Sequence, residues 1–167
     1  LQFGGRPAYR IRAALAATAG ASYGVYAGYE LYENVARPGS EENIDNEKYE
    51  YKFRDWDGAE AAGESLAPYL RRLNEIRRLH PALRQLRGLH LQGSDDDAII
   101  AYVKHLPASL TAGGEPDTII VIANVDPHSA RETTVHIDSQ IWGLPRGHDY
   151  EVEDLLTGAR WTWNEHN

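Results

Sequence analysis

Lys48 and Tyr49 stand side by side, and together they suit contact with an anionic sugar. A lysine ammonium pairs with phosphate as a point charge. A tyrosine offers a sugar its hydroxyl and its ring face, although half-buried packing is its commoner fate. Both residues sit among Asn46, Glu47 and Glu50. On composition alone Lys48 is an ordinary surface charge, and it becomes a phosphate contact only if its loop lies over a site. Glu30 ends a short Tyr- and Gly-rich segment, where barrel enzymes place site residues. Its other reading is a structural acceptor that holds the following loop. Glu33 and Glu47 invite a paired-carboxylate reading, because glycoside chemistry needs two carboxyl groups at a set separation. Their spacing in the chain fixes no such separation.

Other chemistries find little support. Asp95-Asp-Asp97 lacks the alternating oxygen ligands and closing Glu of a calcium loop, and reads as a solvated hairpin turn. The seven histidines, His80, His90, His105, His128, His136, His148 and His166, form no metal-binding pair at close spacing. No Ser has a Gly-x-Ser-x-Gly setting, and neither a phosphate loop nor a dinucleotide fingerprint occurs. The absence of Cys excludes disulfides and thiolate metal sites.

These residues need elements to position them. Pro7 in a first turn and Gly20 at the end bound an alanine-rich helix between them. Residues 23–26 are aromatic or β-branched, lie between Gly20 and Gly28, and read as a short buried strand. Residues 32–64 carry Pro38-Gly39, Asn34, Asn43, Asp45 and Asn46, which predicts a long loop. A loop of that length inside a compact domain is a candidate for function. Ser65 is the expected N-cap of a second helix, with Pro68 in its first turn. Leu66, Tyr69, Leu70, Leu73, Ile76, Leu79 and Leu83 give it one apolar face, and Pro81 ends or bends it. Arg71, Arg72, Arg77 and Arg78 read as its solvated face, favourably near the C-terminal dipole. Beyond residue 89 the pattern becomes β-rich, with strands expected at 98–103, 118–123, 133–137 and 150–156. Turn residues between them point to an antiparallel sheet, read as a sandwich.

The 167 residues can hold one domain or pieces of two, with an ordinary globular balance of apolar and charged residues. A formal net charge of −8 disfavours nucleic acid and anionic membrane surfaces as partners. No apolar run approaches the roughly 20 residues of a membrane helix, and no signal peptide opens the chain. Lack of Cys suits a cytoplasmic protein. Met is absent even at position 1, so a natural start upstream of Leu1 is expected.

Tyr23-Gly-Val-Tyr-Ala-Gly-Tyr-Glu30 resembles the eighth-strand segment of α-amylase-type barrels of glycoside hydrolase family 13. Gly4-Gly-Arg-Pro7, Tyr29-Glu-Leu-Tyr-Glu-Asn34, Pro38-Gly-Ser-Glu-Glu42, Glu47-Lys-Tyr-Glu50, Arg54-Asp-Trp56 and Leu73-Asn-Glu-Ile-Arg-Arg78 are similar to a narrower family. Its members use α-maltose 1-phosphate to extend α-1,4-glucans as maltosyltransferases. Asn124-Val-Asp-Pro-His128 and Leu155-Leu-Thr-Gly158 resemble the antiparallel domain that follows the barrel in that family. The resemblance covers nearly the whole chain.

It implies an α/β plus all-β organisation: residues 1–88 as the C-terminal end of a (β/α)8 barrel, residues 89–167 as a β-sandwich domain C truncated at its end. It implies a retaining enzyme that releases phosphate, with a covalent maltosyl intermediate. Lys48 and Tyr49 match a Lys-Tyr pair that holds the phosphate end of the donor. The family's nucleophile, acid/base and stabilising carboxylates lie upstream of Leu1, so the chain contains no catalytic residue and is expected to be inactive alone. No cofactor and no metal is implied. The implied partners are α-maltose 1-phosphate and α-1,4-glucan, with no nucleic acid and no membrane, in a cytoplasmic homodimeric parent. A truncated barrel also leads one to expect unpartnered apolar faces near residues 23–29 and 66–83. The competing readings are an α-amylase-type hydrolase or phosphorylase-like relative, and a non-catalytic glucan-binding or structural β-sandwich. In the last of these Trp142, Trp161 and Trp163 form a stacking surface, or else pack in the core.

Overall fold

Helices open the chain and strands close it, in a computed structural model that describes residues 3–40, 42–44 and 51–164. Helix α1 spans Gly5–Ala19, with Pro7 in its first turn and Gly20 directly after its end. Helix α2, Trp56–Ala61, lies within the expected loop, where the Asp55 carboxylate accepts from the Gly58 amide at 2.9 Å. That is an ordinary side-chain cap for a short helix. Helix α3 spans Ala67–Leu79, shorter than the apolar pattern suggests. The residue before a proline is pushed out of the α region, so His80 is extended and Pro81–Arg84 forms a separate 3-10 turn. Ser65 stands one residue before the cap position, and its hydroxyl accepts from the Ala67 amide at 3.1 Å.

The α3 face is not bare. Tyr9, Ala13 and Ala17 recur every four residues on α1 and pack with Leu66, Leu70 and Leu73. Small side chains on α1 let the two helices approach closely. Ile76 and Leu83 pack on Ile119 of the sheet. The expectation of an unpartnered face over 66–83 is therefore corrected, with Leu79 left exposed.

Arg77 corrects the solvated-face reading of the arginines. It is buried, and it donates to the carbonyl oxygens of Ala17, Gly20 (3.1 Å), Ala21 (2.8 Å) and Leu83 (3.2 Å). One guanidinium thus satisfies carbonyls that the end of α1 leaves without helical partners.

The strands are β1 (Leu89–Ser94), β2 (Ile99–Leu106), β3 (Asp117–Asn124) and β4 (Val135–His136), in one antiparallel sheet of order β3-β2-β1-β4. β2 and β3 pair from Ile99↔Asn124 to Leu106↔Asp117. Side chains alternate across the sheet. Ala101, Val103, Val135 and Ile137 form a core on one face with Ile141 and Trp142. Tyr102, on the alternate positions, meets Thr18 of α1 through their hydroxyls at 2.6 Å. At the seam the Asp117 carboxylate pairs with His80 Nδ1 and accepts from the Ala82 amide, each at 2.8 Å. β5 (Tyr150–Glu153) and β6 (Arg160–Trp163) make a separate hairpin.

The described residues thus form a mixed α/β unit built on an antiparallel sheet, with neither a closed barrel nor two facing sheets of a full sandwich. Residues 23–26 also differ from expectation. Among the described residues they pair with no strand, and Val25 and Tyr26 are 40% and 68% exposed. A strand exists only through its ladder, and no strand of the described residues reaches this segment. Among the described residues no helix is long and apolar enough to cross a membrane.

Candidate functional site

The long loop is built around one carboxylate. Gly28 turns the chain with φ +98°, Tyr29–Leu31 makes a 3-10 turn, and Tyr32 takes a left-handed φ of 56°. Such a conformation is costly for a tyrosine and needs support from its surroundings. Support comes from α1: the Tyr9 ring packs on those of Tyr29 at 4.8 Å and Tyr32 at 5.3 Å between centroids. The Tyr29 hydroxyl donates to the Tyr9 carbonyl at 2.6 Å, and the Arg6 guanidinium lies 4.9 Å over the Tyr32 ring.

This turn delivers Glu33. Its carboxylate accepts from Arg54 at 2.8 and 3.1 Å and pairs with Lys52 at 3.3 Å. Its carbonyl oxygen accepts from the Tyr9 hydroxyl and, at 3.0 Å, from Asn43 Nδ2. The hydrogen bonds from Arg54 hold the Glu33 carboxyl below its ordinary range, against the opposing effect of partial burial, and Lys52 adds to them. An ionised carboxylate engaged by two cations is a poor general acid. Glu33 therefore sits as an electrostatic anchor, and Glu47, the other carboxylate of the paired reading, lies outside the described residues.

Glu30 ties the same turn to the next helix. Its carboxylate accepts from the Gly28 amide at 3.2 Å, and its carbonyl oxygen from the Leu66 amide at 2.7 Å. Residues 35–37 and 42–44 run antiparallel, bridged at Ala36 and Asn43. Residues 51–54 alternate: Tyr51 and Phe53 are 89% and 77% exposed, whereas Lys52 and Arg54 are half-buried against Glu33. Lys48, Tyr49 and Glu47 lie outside the described residues, in the stretch 45–50 between these two legs.

The roles of Lys52 and Arg54 escape the sequence reading. Two cations at a spacing of two project to one side of an extended segment, and that pattern is visible in the chain once a carboxylate is sought for them.

The aspartates behave as a hairpin turn. Asp95 pairs with His136 at 2.7 Å, Asp96 Oδ1 accepts from the Ala98 amide at 2.7 Å, and Arg131 sits 3.6 Å from Asp96. Among the described residues no cluster of three or more His, Asp or Glu is arranged to hold a metal. Trp142, Trp161 and Trp163 divide between two elements. Trp142 packs against the sheet and stands edge-on to Tyr150 at 5.5 Å, whereas Trp161 and Trp163 lie on β6 opposite Val152 and Tyr150.

The family model described as GLGE, C-terminal, matches residues 91–167. The chain is 50% identical over its whole length to an α-1,4-glucan:maltose-1-phosphate maltosyltransferase of Corynebacterium glutamicum, and covers 24% of it. It is 46% identical, again over its whole length, to the enzyme of that name from Mycolicibacterium smegmatis, covering 23%. A second maltosyltransferase of this name in Streptomyces coelicolor is also 46% identical, with 24% covered. The chain thus spans about a quarter of the length of the curated relatives it matches. Over its whole length the chain is thus similar to part of α-1,4-glucan:maltose-1-phosphate maltosyltransferases, and from residue 91 to the family model described as GLGE, C-terminal.

Proposed function

We propose that the chain is the C-terminal part of a retaining maltosyltransferase that moves maltosyl units from α-maltose 1-phosphate to the non-reducing ends of α-1,4-glucans. The observation that carries this is the match over the whole chain, at 50% identity, to a relative with that printed name. In this reading residues 1–88 complete the barrel and residues 89–167 belong to domain C, a boundary supported by the family model's start at residue 91. Exposure of Val25, Tyr26, Tyr51 and Phe53 supports further polypeptide packing on the loop side of α1.

The reaction is a double displacement. An upstream carboxylate attacks C1 of the maltosyl unit as the bond to phosphate oxygen breaks, and an acid assists departure of phosphate. The 4-hydroxyl of a glucan end then takes the maltosyl unit from the carboxylate, which restores the starting anomeric configuration. This chain contributes binding rather than chemistry. Lys48 and Tyr49 contact the donor, the lysine as a point charge at its phosphate end. The parent is a cytoplasmic homodimer without cofactor or metal.

In the full-length enzyme, maltose 1-phosphate plus glycogen should release phosphate and lengthen chains in equal measure. Free maltose without chain growth would replace the transferase by a hydrolase. Lys48→Ala is expected to raise the donor KM at least tenfold, with thermal stability unchanged. Run in reverse, the same variant should weaken use of inorganic phosphate. If only the donor KM rises, the lysine contacts the sugar instead.

A further inference from the structure

We infer that the β5–β6 hairpin is a strap that fastens the antiparallel sheet to helix α3, with Leu155 as its catch. Among the described residues β5 and β6 pair only with each other. The hairpin therefore joins the fold through side chains, and these meet opposite faces of the sheet. At its open end Tyr150 stands edge-on to Trp142 at 5.5 Å, and Trp142 packs against Ala101, Val103, Val135 and Ile137. At its turn Leu155 packs with Ile76 and Leu83 from the helical side and with Ile119 of β3.

In the β2–β3 ladder Ile119 lies opposite Lys104, and Ile120 lies opposite Val103. Side chains alternate across a sheet, so Ile119 and Val103 face opposite sides. The hairpin thus reaches around the sheet, from the face remote from the helices to the face that meets α1 and α3. Four residues of strand extend about 13 Å, more than the roughly 10 Å between packed layers.

The turn arrives at this seam already formed. Asp154 Oδ1 accepts from the Leu156 amide at 2.8 Å, and Oδ2 from the Thr157 hydroxyl at 2.6 Å. The Asp154 carbonyl oxygen accepts from the Thr157 and Gly158 amides at 3.2 and 2.6 Å. With the turn fixed, its two leucines diverge: Leu155 is half-buried and Leu156 is 47% exposed. Arg72 of α3 completes the catch, donating through Nε to the Leu155 carbonyl oxygen at 2.9 Å. Its other arm pairs with Glu75 at 3.4 Å. A two-stranded hairpin is marginal in water by itself, so these contacts decide whether the strap stays closed. Opening it would free the hairpin and uncover Ile76, Leu83 and Ile119 together, while the eight β2–β3 pairs stay closed.

The test is amide hydrogen exchange, read by mass spectrometry on the full-length enzyme. Leu155→Ala is expected to speed exchange about tenfold in both the hairpin and residues 76–85, with β2 and β3 within about twofold. Leu156→Ala removes the same atoms from the outward side and should change neither region. Arg72→Met should speed exchange in the same two regions about threefold, and Arg72→Lys, which keeps a donor, by less. Equal effects of the two leucine variants would overturn the strap. So would faster exchange of the hairpin with residues 76–85 unaltered, because the hairpin would then fray on its own. If Leu155→Ala fails to fold, Arg72→Met decides by the same two regions. Donor turnover does not enter this readout, so its outcome is independent of the role of Lys48 and Tyr49.

Discussion

Gly28 shows how much of the candidate site depends on a missing side chain. Its φ of +98° is strained for any residue with a Cβ, and that Cβ would sit inside the Glu33 carboxylate. Gly39 has φ +77° but no atom within 4 Å of a built Cβ. Replacing Gly39 by Ala should therefore cost about 1 kcal/mol, the backbone term alone. Gly28→Ala should cost about 3 kcal/mol, because it adds displacement of an ion-paired carboxylate to that strain. Thermal unfolding of the two variants separates these contributions, and equal losses would remove the steric argument. At this scale the sequence was partly legible. The glycines at 20, 28 and 39 mark turns, but the partner of Gly28 is five residues away and its cations lie about twenty further on.

Among the elements, α1 and α3 are legible from periodicity, and the arginines on α3 are not. Four basic residues on one helix look alike in the chain, yet Arg77 is buried under α1 while Arg78 is exposed. Helix spacing places Arg77 directly after Ile76 and four after Leu73, on the rim of the apolar face, where a guanidinium reaches the end of α1. Arg77→Met should lower stability by about 3 kcal/mol in denaturant unfolding, since the carbonyls of Ala17, Gly20, Ala21 and Leu83 lose a charged donor. Arg78→Met should stay within about 0.5 kcal/mol. The strands at 98–103, 118–123, 133–137 and 150–156 follow from β-branched runs and turns. β1 is missed because Leu89-His-Leu-Gln-Gly-Ser94 has weak β propensity and becomes a strand by pairing with β2 and β4. The residues at 23–26 fail in the opposite sense: their propensity is right, but none of the described strands lies beside them.

On the scale of the whole molecule, buried and half-buried tyrosines, of which Tyr102 joins α1 to the sheet, make the fold sensitive to alkali. Burial raises the pKa of Tyr9, Tyr23, Tyr69 and Tyr102, and pushes Tyr29 up to about 12. The folded state therefore keeps these protons where the unfolded chain releases them. Their contribution is complete below about pH 10 and is lost as pH rises through the folded values. Lys104 acts in the opposite sense, because burial lowers its pKa, but it is one group against five. The unfolding midpoint should fall steadily between about pH 10 and pH 12, together with tyrosinate absorbance. A midpoint that stays level while the tyrosines ionise would show that they are not coupled to folding.

The sequence by itself determined the two main helices, most of the antiparallel strands and the family resemblance, because periodicity, turn residues and long matching motifs are properties of the chain. Tertiary structure alone decided that residues 23–26 find no strand partner among the described residues, that Arg77 is interior and that Glu33 is the anchor of the loop. Each of these depends on which distant groups arrive at the same place. Ladder pairing, burial of a charge and a carboxylate's choice between acid and anchor are all set by such neighbours, and local spacing does not encode them.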